Sequence, residues 1–448
     1  MEAHQLLGRA VLAGLAAAAL ATTAYAQVDP GVRGGGPGGG LPFADLTDNE
    51  RAFFEVGLED FAEAEGVGEG MGPRFNLDGC AGCHLQPAVG GTSPAVNPQV
   101  AVATAFGALN ILPSFITLNG PVREARFKFN PDGSRDGGVH ALFTIRGRND
   151  GTGDATNCNA VQDDFAREIS RNNVIFRIPT ATFGAGLMEM ITDQTLINNV
   201  NASPSSKAAL GISGRLNRNG NDGTISRFGW KAQNQTLLLF SGEAYNVEMG
   251  ISNELFQVER DQNSRCQLAT LPNDVSNVDG PLPTDTVSAV EKFAFFMRFL
   301  APPTPSTSVP GGSSSISRGR SLFTAVGCGL CHTPTLRTGT ATVAALSNKD
   351  ANLFSDLALH AMGPGLADNV LQGAARGDEF RTAPLWGLGQ RIFFLHDGRT
   401  SDLRSAIAAH RSGGNSQFGP SEANSTIDRY NSLGGGSKQD ILNFLRSL

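Results

Sequence analysis

The sequence predicts a mainly α chain of two units, the first enlarged by a long loop-rich insertion with short β segments. Three observations predict it. A Cys-x-x-Cys-His motif occurs twice, at Cys80-Ala81-Gly82-Cys83-His84 and at Cys328-Gly329-Leu330-Cys331-His332. A helical apolar pattern precedes each copy, and a second amphipathic pattern closes the chain. Between the two units, Ala301 to Ser317 (APPTPSTSVPGGSSSIS) reads as a linker rich in Pro, Gly and Ser.

The elements follow in order. Residues 1–26 read as a secretory signal, with Arg9 before an Ala/Leu-rich run from Ala10 to Leu20 and an A-x-A site at Ala24-Tyr25-Ala26. That run is too short to span a bilayer, and no later segment approaches about 20 apolar residues. The mature chain is therefore expected to be exported and soluble, with no membrane span. Residues 27–42 (QVDPGVRGGGPGGGLP) read as a flexible leader.

Thr47-Asp48-Asn49-Glu50 forms a capping box, and Phe53, Phe54, Val56, Leu58 and Phe61 continue it as a helix that Gly66 ends. From about 94 to 300 the pattern mixes Asn/Asp/Gly turns, a few helices and short β-like runs such as Ala141-Leu142-Phe143-Thr144-Ile145. After the linker, Arg318 to Val326 makes a short helix carrying Leu322 and Phe323. Ser437 is placed to cap a last helix with Ile441, Phe444, Leu445 and Leu448 on one face.

Composition narrows the function. The chain has 448 residues and a net charge of −7, so no basic surface points to nucleic acid. Its 55 Gly and 23 Pro point to long irregular connections. Four of six cysteines lie in the two motifs, leaving Cys158 and Cys266 as either a disulfide closing a long loop or two buried thiols.

The motifs themselves read as c-type haem attachment sites. One helical turn places both thiols for thioethers to the vinyl groups of a haem, and the next residue presents its imidazole to the iron. Zinc ribbons space their CxxC pairs by about 15–20 residues, and thioredoxin-like pairs need a βαβ context; both leave the two histidines unexplained. Two covalent haem c groups in an exported chain point to the periplasm of a Gram-negative bacterium. With an N-terminal helix, CxxCH and an amphipathic last helix, residues 318–448 have the outline of a cytochrome c domain. The fold class is thus mainly α, with two cytochrome c-like haem domains at 43–300 and 318–448.

Further stretches carry a resemblance. Phe380-Arg381-Thr382-Ala383-Pro384-Leu385-Trp386-Gly387-Leu388, followed by Phe394-Leu395-His396-Asp397-Gly398, resembles the second-haem domain of bacterial di-haem cytochrome c peroxidases and MauG-type enzymes. The nearer resemblance is to the di-haem oxidoreductase (putative peroxidase) family, also called thiol oxidoreductases. Supporting it are Pro87-Ala88-Val89-Gly90-Gly91, Phe176-Arg177-Ile178-Pro179, Phe183-Gly184-Ala185-Gly186-Leu187, Arg227-Phe228-Gly229-Trp230-Lys231 and Leu359-His360-Ala361-Met362-Gly363-Pro364-Gly365-Leu366, from about residue 43 onward.

The resemblance implies two haem domains facing each other. Electrons would enter from a small donor protein, a cytochrome or cupredoxin, at the C-terminal haem. They would leave at the N-terminal haem to peroxide or another small oxidant. A di-haem carrier without catalysis and a MauG-like protein-modifying oxidase are the competing readings.

Proximal ligands are His84 and His332, read directly from the motifs. The related peroxidases carry a ligand Met on the helix after HDG; fourteen residues beyond His396 lies His410. Bis-His ligation by His332 and His410 is therefore expected, with Met362 as the rival and His360 and His396 as structural residues. Arg381 is either a haem propionate partner or a surface ion pair. Glu189 is the candidate acid/base at the N-terminal haem, against a solvated helix carboxylate. His140, Met188, Met190, Tyr245 and Met249 could each cap that iron, and Trp230 or Trp386 could relay electrons or simply pack. Related peroxidases hold calcium between the domains. Their Thr-x-Pro ahead of HDG is here Arg391-Ile392-Phe393, which leaves backbone carbonyls to hold calcium.

Overall fold

The computed structural model describes residues 27–135, 143–144, 158, 161–259, 261 and 263–448. The expected signal, His140 and most of the run 141–145 lie outside these residues.

The fold is mainly helical, and two helix crossings organise it. Helix α1 (Asp48–Ala62) starts at the expected capping box, with Thr47 Oγ1 accepting from Glu50 N–H and the Glu50 carboxylate accepting from Thr47 N–H. In chain order follow strands β1 (Glu124–Phe127) and β2 (Val174–Arg177), then helices α2 (Leu237–Met249), α3 (Ala289–Phe299) and α4 (Gly312–Val326). Strands β3 (Leu359–Ala361) and β4 (Glu379–Arg381) precede α5 (Leu403–Ala408), α6 (Asn424–Ser432) and α7 (Gly435–Ser447).

α1 crosses α3, and α4 crosses α7. Each crossing turns on a glycine. A Cβ at Gly57 would fall inside contact distance of the Lys292 carbonyl and 3.0 Å from Phe296 Cβ. One at Gly319 would meet the Asp440 carbonyl and lie 2.7 Å from Phe444 Cβ. Phenylalanines then lock both crossings: Phe61 lies 4.7 Å from Phe296, and Phe323 lies 5.5 Å from Phe444, ring centre to ring centre. Gly319→Ala is expected to destabilise the fold by about 1–3 kcal/mol in denaturant unfolding, because both helix backbones must part. Gly436, exposed with open space around it, makes the control; Gly436→Ala gains up to about 1 kcal/mol.

Strands are few and short: the described residues form four two-stranded antiparallel ribbons. β1 pairs β2 with Glu124 opposite Arg177, and β3 pairs β4 with Leu359 opposite Arg381. These two ribbons bring Glu124, Arg126, Arg177 and Arg381 to the cavities described below.

Three boundaries and one segment differ from the sequence reading. α1 stops at Ala62, four residues short of Gly66. α4 begins at Gly312, so the connection is 301–311, and the Ser-rich run is helix because its outward face needs no apolar residues. α7 begins at Gly435, placing Ser437 inside its first turn. Residues 27–42 are not a loose leader. Their backbone pairs with the connection and the second helix pair: Arg33 N–H donates to Gly389 O at 2.8 Å, Thr304 N–H to Gly38 O at 2.8 Å and Ala301 N–H to Leu41 O at 2.9 Å. Glycine-rich composition signals freedom in the unfolded chain, yet it also lets two backbones approach closely.

Cys158 and Cys266 are joined by a disulfide, both fully buried and 108 residues apart.

Candidate active site

Each CxxCH closes one turn. His84 N–H donates to Cys80 O at 3.0 Å, and His332 N–H to Cys328 O at 2.9 Å. None of the four motif cysteines is drawn into a disulfide. His84 Nδ1 lies 3.1 Å from Gly91 O and His332 Nδ1 lies 3.0 Å from Phe354 O. A carbonyl only accepts, so Nδ1 carries the proton in each ring. Burial pushes both imidazoles down to about 4, so they are neutral at physiological pH, as an iron ligand requires.

Around these turns lie two cavities. The second spans about 1430 Å³ of space not filled by protein, the solvent at its mouth included. Cys328, Cys331, His332, Met362, Arg381, His396 and His410 all face it. His410, just past α5, has its Nδ1 held 2.8 Å from Ala406 O, leaving Nε2 free. Its proximity helps to lower the pKa of His332, after burial as the main cause. Two imidazoles with fixed tautomers therefore share one cavity.

The other candidates there are engaged. His360 places Nε2 3.0 Å from Asp356 and Nδ1 2.8 Å from Glu422, so both its nitrogens are used. His396 stacks on Phe380 at 4.3 Å. Arg381 Nε donates to Gly229 O at 2.9 Å.

Arg391 is the residue sequence reasoning passed over. Burial lowers both guanidiniums to about 10, and Arg391 further lowers Arg381. Among the described residues neither forms an ion pair, and Arg391 Nε has no hydrogen-bond partner. Both also face a smaller cleft shared with Trp230 and Trp386.

The first cavity, of about 1060 Å³, is lined by Cys80, Cys83, His84, Glu124, Arg126, Arg177, Trp230, Ala244, Tyr245 and Glu248, among others. Its helix α2 matches α5 in register. Thr236 caps α2 and Asp402 caps α5, each accepting from the backbone N–H three residues on. Four and five residues past the caps, Phe240 and Ser241 face the first cavity, while Ala406 and Ile407 face the second. Eight past, His410 faces its cavity and Ala244 faces the other. The position that offers an imidazole in one half offers a methyl group in the other.

Carboxylates surround Ala244 instead. Glu124 holds Arg126, Nε to Oε1 at 2.8 Å. Glu248 lies one turn beyond Ala244, and burial, reinforced by Glu124 and Glu243, pushes it up to about 8. Glu189 does not face either cavity. Its carboxylate accepts from Leu237 N–H at 2.8 Å, capping α2, and bridges to Arg298 at 2.7 Å. The acid/base expected at Glu189 is thus a structural carboxylate, because its helix turns that edge toward α2 and α3.

Met188 and Met249 are buried in the first core, where Met190 is half-buried, and none of the three faces the cavity. Tyr245 does face it, but its hydroxyl donates to Glu65 at 2.7 Å. Trp230 lines both large cavities, with Nε1 donating to Ile178 O at 2.9 Å. Trp386 packs against Gly184 at the margin of the first core.

The sequence profile described as "Di-haem oxidoreductase, putative peroxidase" matches residues 124–448, which is 325 of 448. The chain belongs to this family. The match includes the second CxxCH, His410 and Glu248, and starts downstream of the first CxxCH. No curated protein matches the chain. Solved structures similar to this di-haem oxidoreductase include a MauG-like protein associated with microbial copper homeostasis, at 15% identity over 60% of this chain and 90% of that one, TM-score 0.29. The di-haem peroxidase BthA from Burkholderia thailandensis E264 is 17% identical over 55% and 76%, TM-score 0.30. Kuenenia stuttgartiensis hydrazine synthase is 17% identical over 37% and 56%, TM-score 0.22.

The family carries two haems, and the residues fit them. Each cavity combines two thiols and a neutral imidazole. The second adds two buried guanidiniums without counter-ions, a costly arrangement that the carboxylates of a haem would satisfy. Arg177 at the first cavity pairs with Asp368 through Nη2 at 3.0 Å and leaves its Nε without a partner. Among the described residues no helix is long and apolar enough to cross a membrane.

Proposed function

We propose that this di-haem oxidoreductase is a periplasmic peroxidase with two covalently attached haem c groups in cytochrome c-like domains. Cys80 and Cys83 would hold one and Cys328 and Cys331 the other. His84 would ligate the first iron and His332 and His410 the second, with Met362 left as cavity wall. The observation that carries this reading is Ala244 in the register position of His410: where the second cavity has an imidazole the first has only a methyl group, and peroxide would have room there. The leader with its A-x-A site and the Cys158–Cys266 disulfide support an oxidising, exported location.

When bound, the haems supply electron storage and an iron that accepts peroxide oxygen. The chain's own residues do the rest. Glu248 takes a proton from one peroxide oxygen and returns it to the other. Arg126, fixed by Glu124, stabilises negative charge on the departing oxygen. Trp230, facing both cavities, would pass electrons from the second haem, which a small cytochrome or cupredoxin would reduce. Arg381 and Arg391 hold the propionates of the second haem. Calcium would have to rely on backbone carbonyls near Arg391.

The test is spectroscopic. Purified holoprotein should give two haem c by pyridine haemochromogen, one low-spin and one high-spin EPR signal, and a high-spin signal that alone responds to peroxide. Two inert low-spin signals would make the protein an electron carrier instead.

A further inference from the structure

We propose that Asp29 is a positioning residue that latches α5 and so fixes His410 over the second cavity. The inference rests on the bis-His reading of that haem and extends it to a segment far away in sequence.

Asp29 is the third residue after the expected cleavage site, and its carboxylate is fully used. Both oxygens take the guanidinium fork of Arg446, Nε to Oδ1 and Nη2 to Oδ2, each at 2.7 Å. Oδ2 also accepts the N–H of Leu403, the first residue of α5, at 2.7 Å. Bidentate charge-assisted pairs of this kind fix geometry as well as adding energy.

Arg446 is an unyielding anchor. It is 1% exposed, donates from Nη1 to Arg391 O at 2.9 Å, and lies over the Phe394 ring at 5.0 Å. Neighbouring residues extend the grip: Arg404 Nη1 on α5 donates to Gln27 O at 2.6 Å. The Gln439 side chain pairs with both Val28 N–H and Val28 O at 2.9 Å.

α5 needs such a hold. It has six residues, too short to be stable by itself. Its first N–H groups are satisfied by two carboxylates: Asp402 takes Ser405 N–H, and Asp29 takes Leu403 N–H. At the other end, His410 is oriented through Nδ1 to Ala406 O, a carbonyl of the same helix. The ring's aim over the cavity is therefore inherited from where α5 sits, and Asp29 is what ties that helix to the core at its start.

The test uses carbon monoxide on the dithionite-reduced holoprotein, because CO reaches a six-coordinate iron only when an axial ligand leaves. In Asp29→Ala, and in the milder Asp29→Asn, CO should bind the C-terminal haem roughly tenfold faster than in wild type, as local opening becomes easier. Its low-spin EPR signal should broaden while the high-spin signal of the N-terminal haem stays unchanged, a pattern that general destabilisation would not give. CO rates and low-spin signals equal to wild type in both variants, with that signal lost in His410→Ala, would overturn the latch alone. A low-spin signal that survives His410→Ala would overturn the bis-His reading and the latch with it.

Discussion

Glu248→Gln is expected to lower peroxide turnover by about 100-fold or more, the usual scale for a positioned acid/base. Gln keeps the shape of the side chain but cannot carry the proton between the two oxygens, so kcat should fall with little change in peroxide affinity. The pH profile gives the sharper readout. Burial holds Glu248 near 8, so below that pH it is mostly protonated and above it mostly carboxylate. Proton removal from peroxide needs the carboxylate, so wild-type kcat/KM should climb as pH passes about 8. The variant should lack that limb. A variant with wild-type turnover would remove Glu248 from the reaction and shift attention to Glu124.

His410→Met is expected to raise the midpoint potential of the C-terminal haem by on the order of 0.1 V, within the roughly 0.8 V that axial ligands span. A thioether stabilises reduced iron relative to an imidazole, so the second haem would become a weaker electron source for the first. Spectroelectrochemical titration measures the shift directly. An unchanged potential would mean that the second iron takes its sixth ligand elsewhere in the cavity, where Met362 is the remaining soft donor.

Legibility of this chain in its sequence follows how local each feature is. The two CxxCH turns, the Thr47 capping box and the last amphipathic helix are set by residues within one or two turns of each other, and these were readable. The place of His410 on the second cavity was reachable by counting from His396, since one short helix separates them. For Cys158 and Cys266 the sequence left a disulfide and two buried thiols both open, and the structure joins them. Glu248 was hidden because it meets Glu124 and Arg126 across more than a hundred residues of chain, and the ribbon β1–β2 and helix α2 bring them to one wall. Glu189 misled for the same reason: its helix was legible, but which side faces the cavity is decided by Arg298 and Leu237, remote in sequence. The stretch 27–42 was misjudged because composition reports the unfolded chain's freedom and not the partners that await it.

The paired crossings at Gly57 and Gly319 have an experimental use. Because the same pair of helices, the same glycine contact and the same phenylalanine lock frame each cavity, the molecule carries its own internal control. Any spectral or redox contrast between its halves can be set against how the two walls differ, without a second protein as reference.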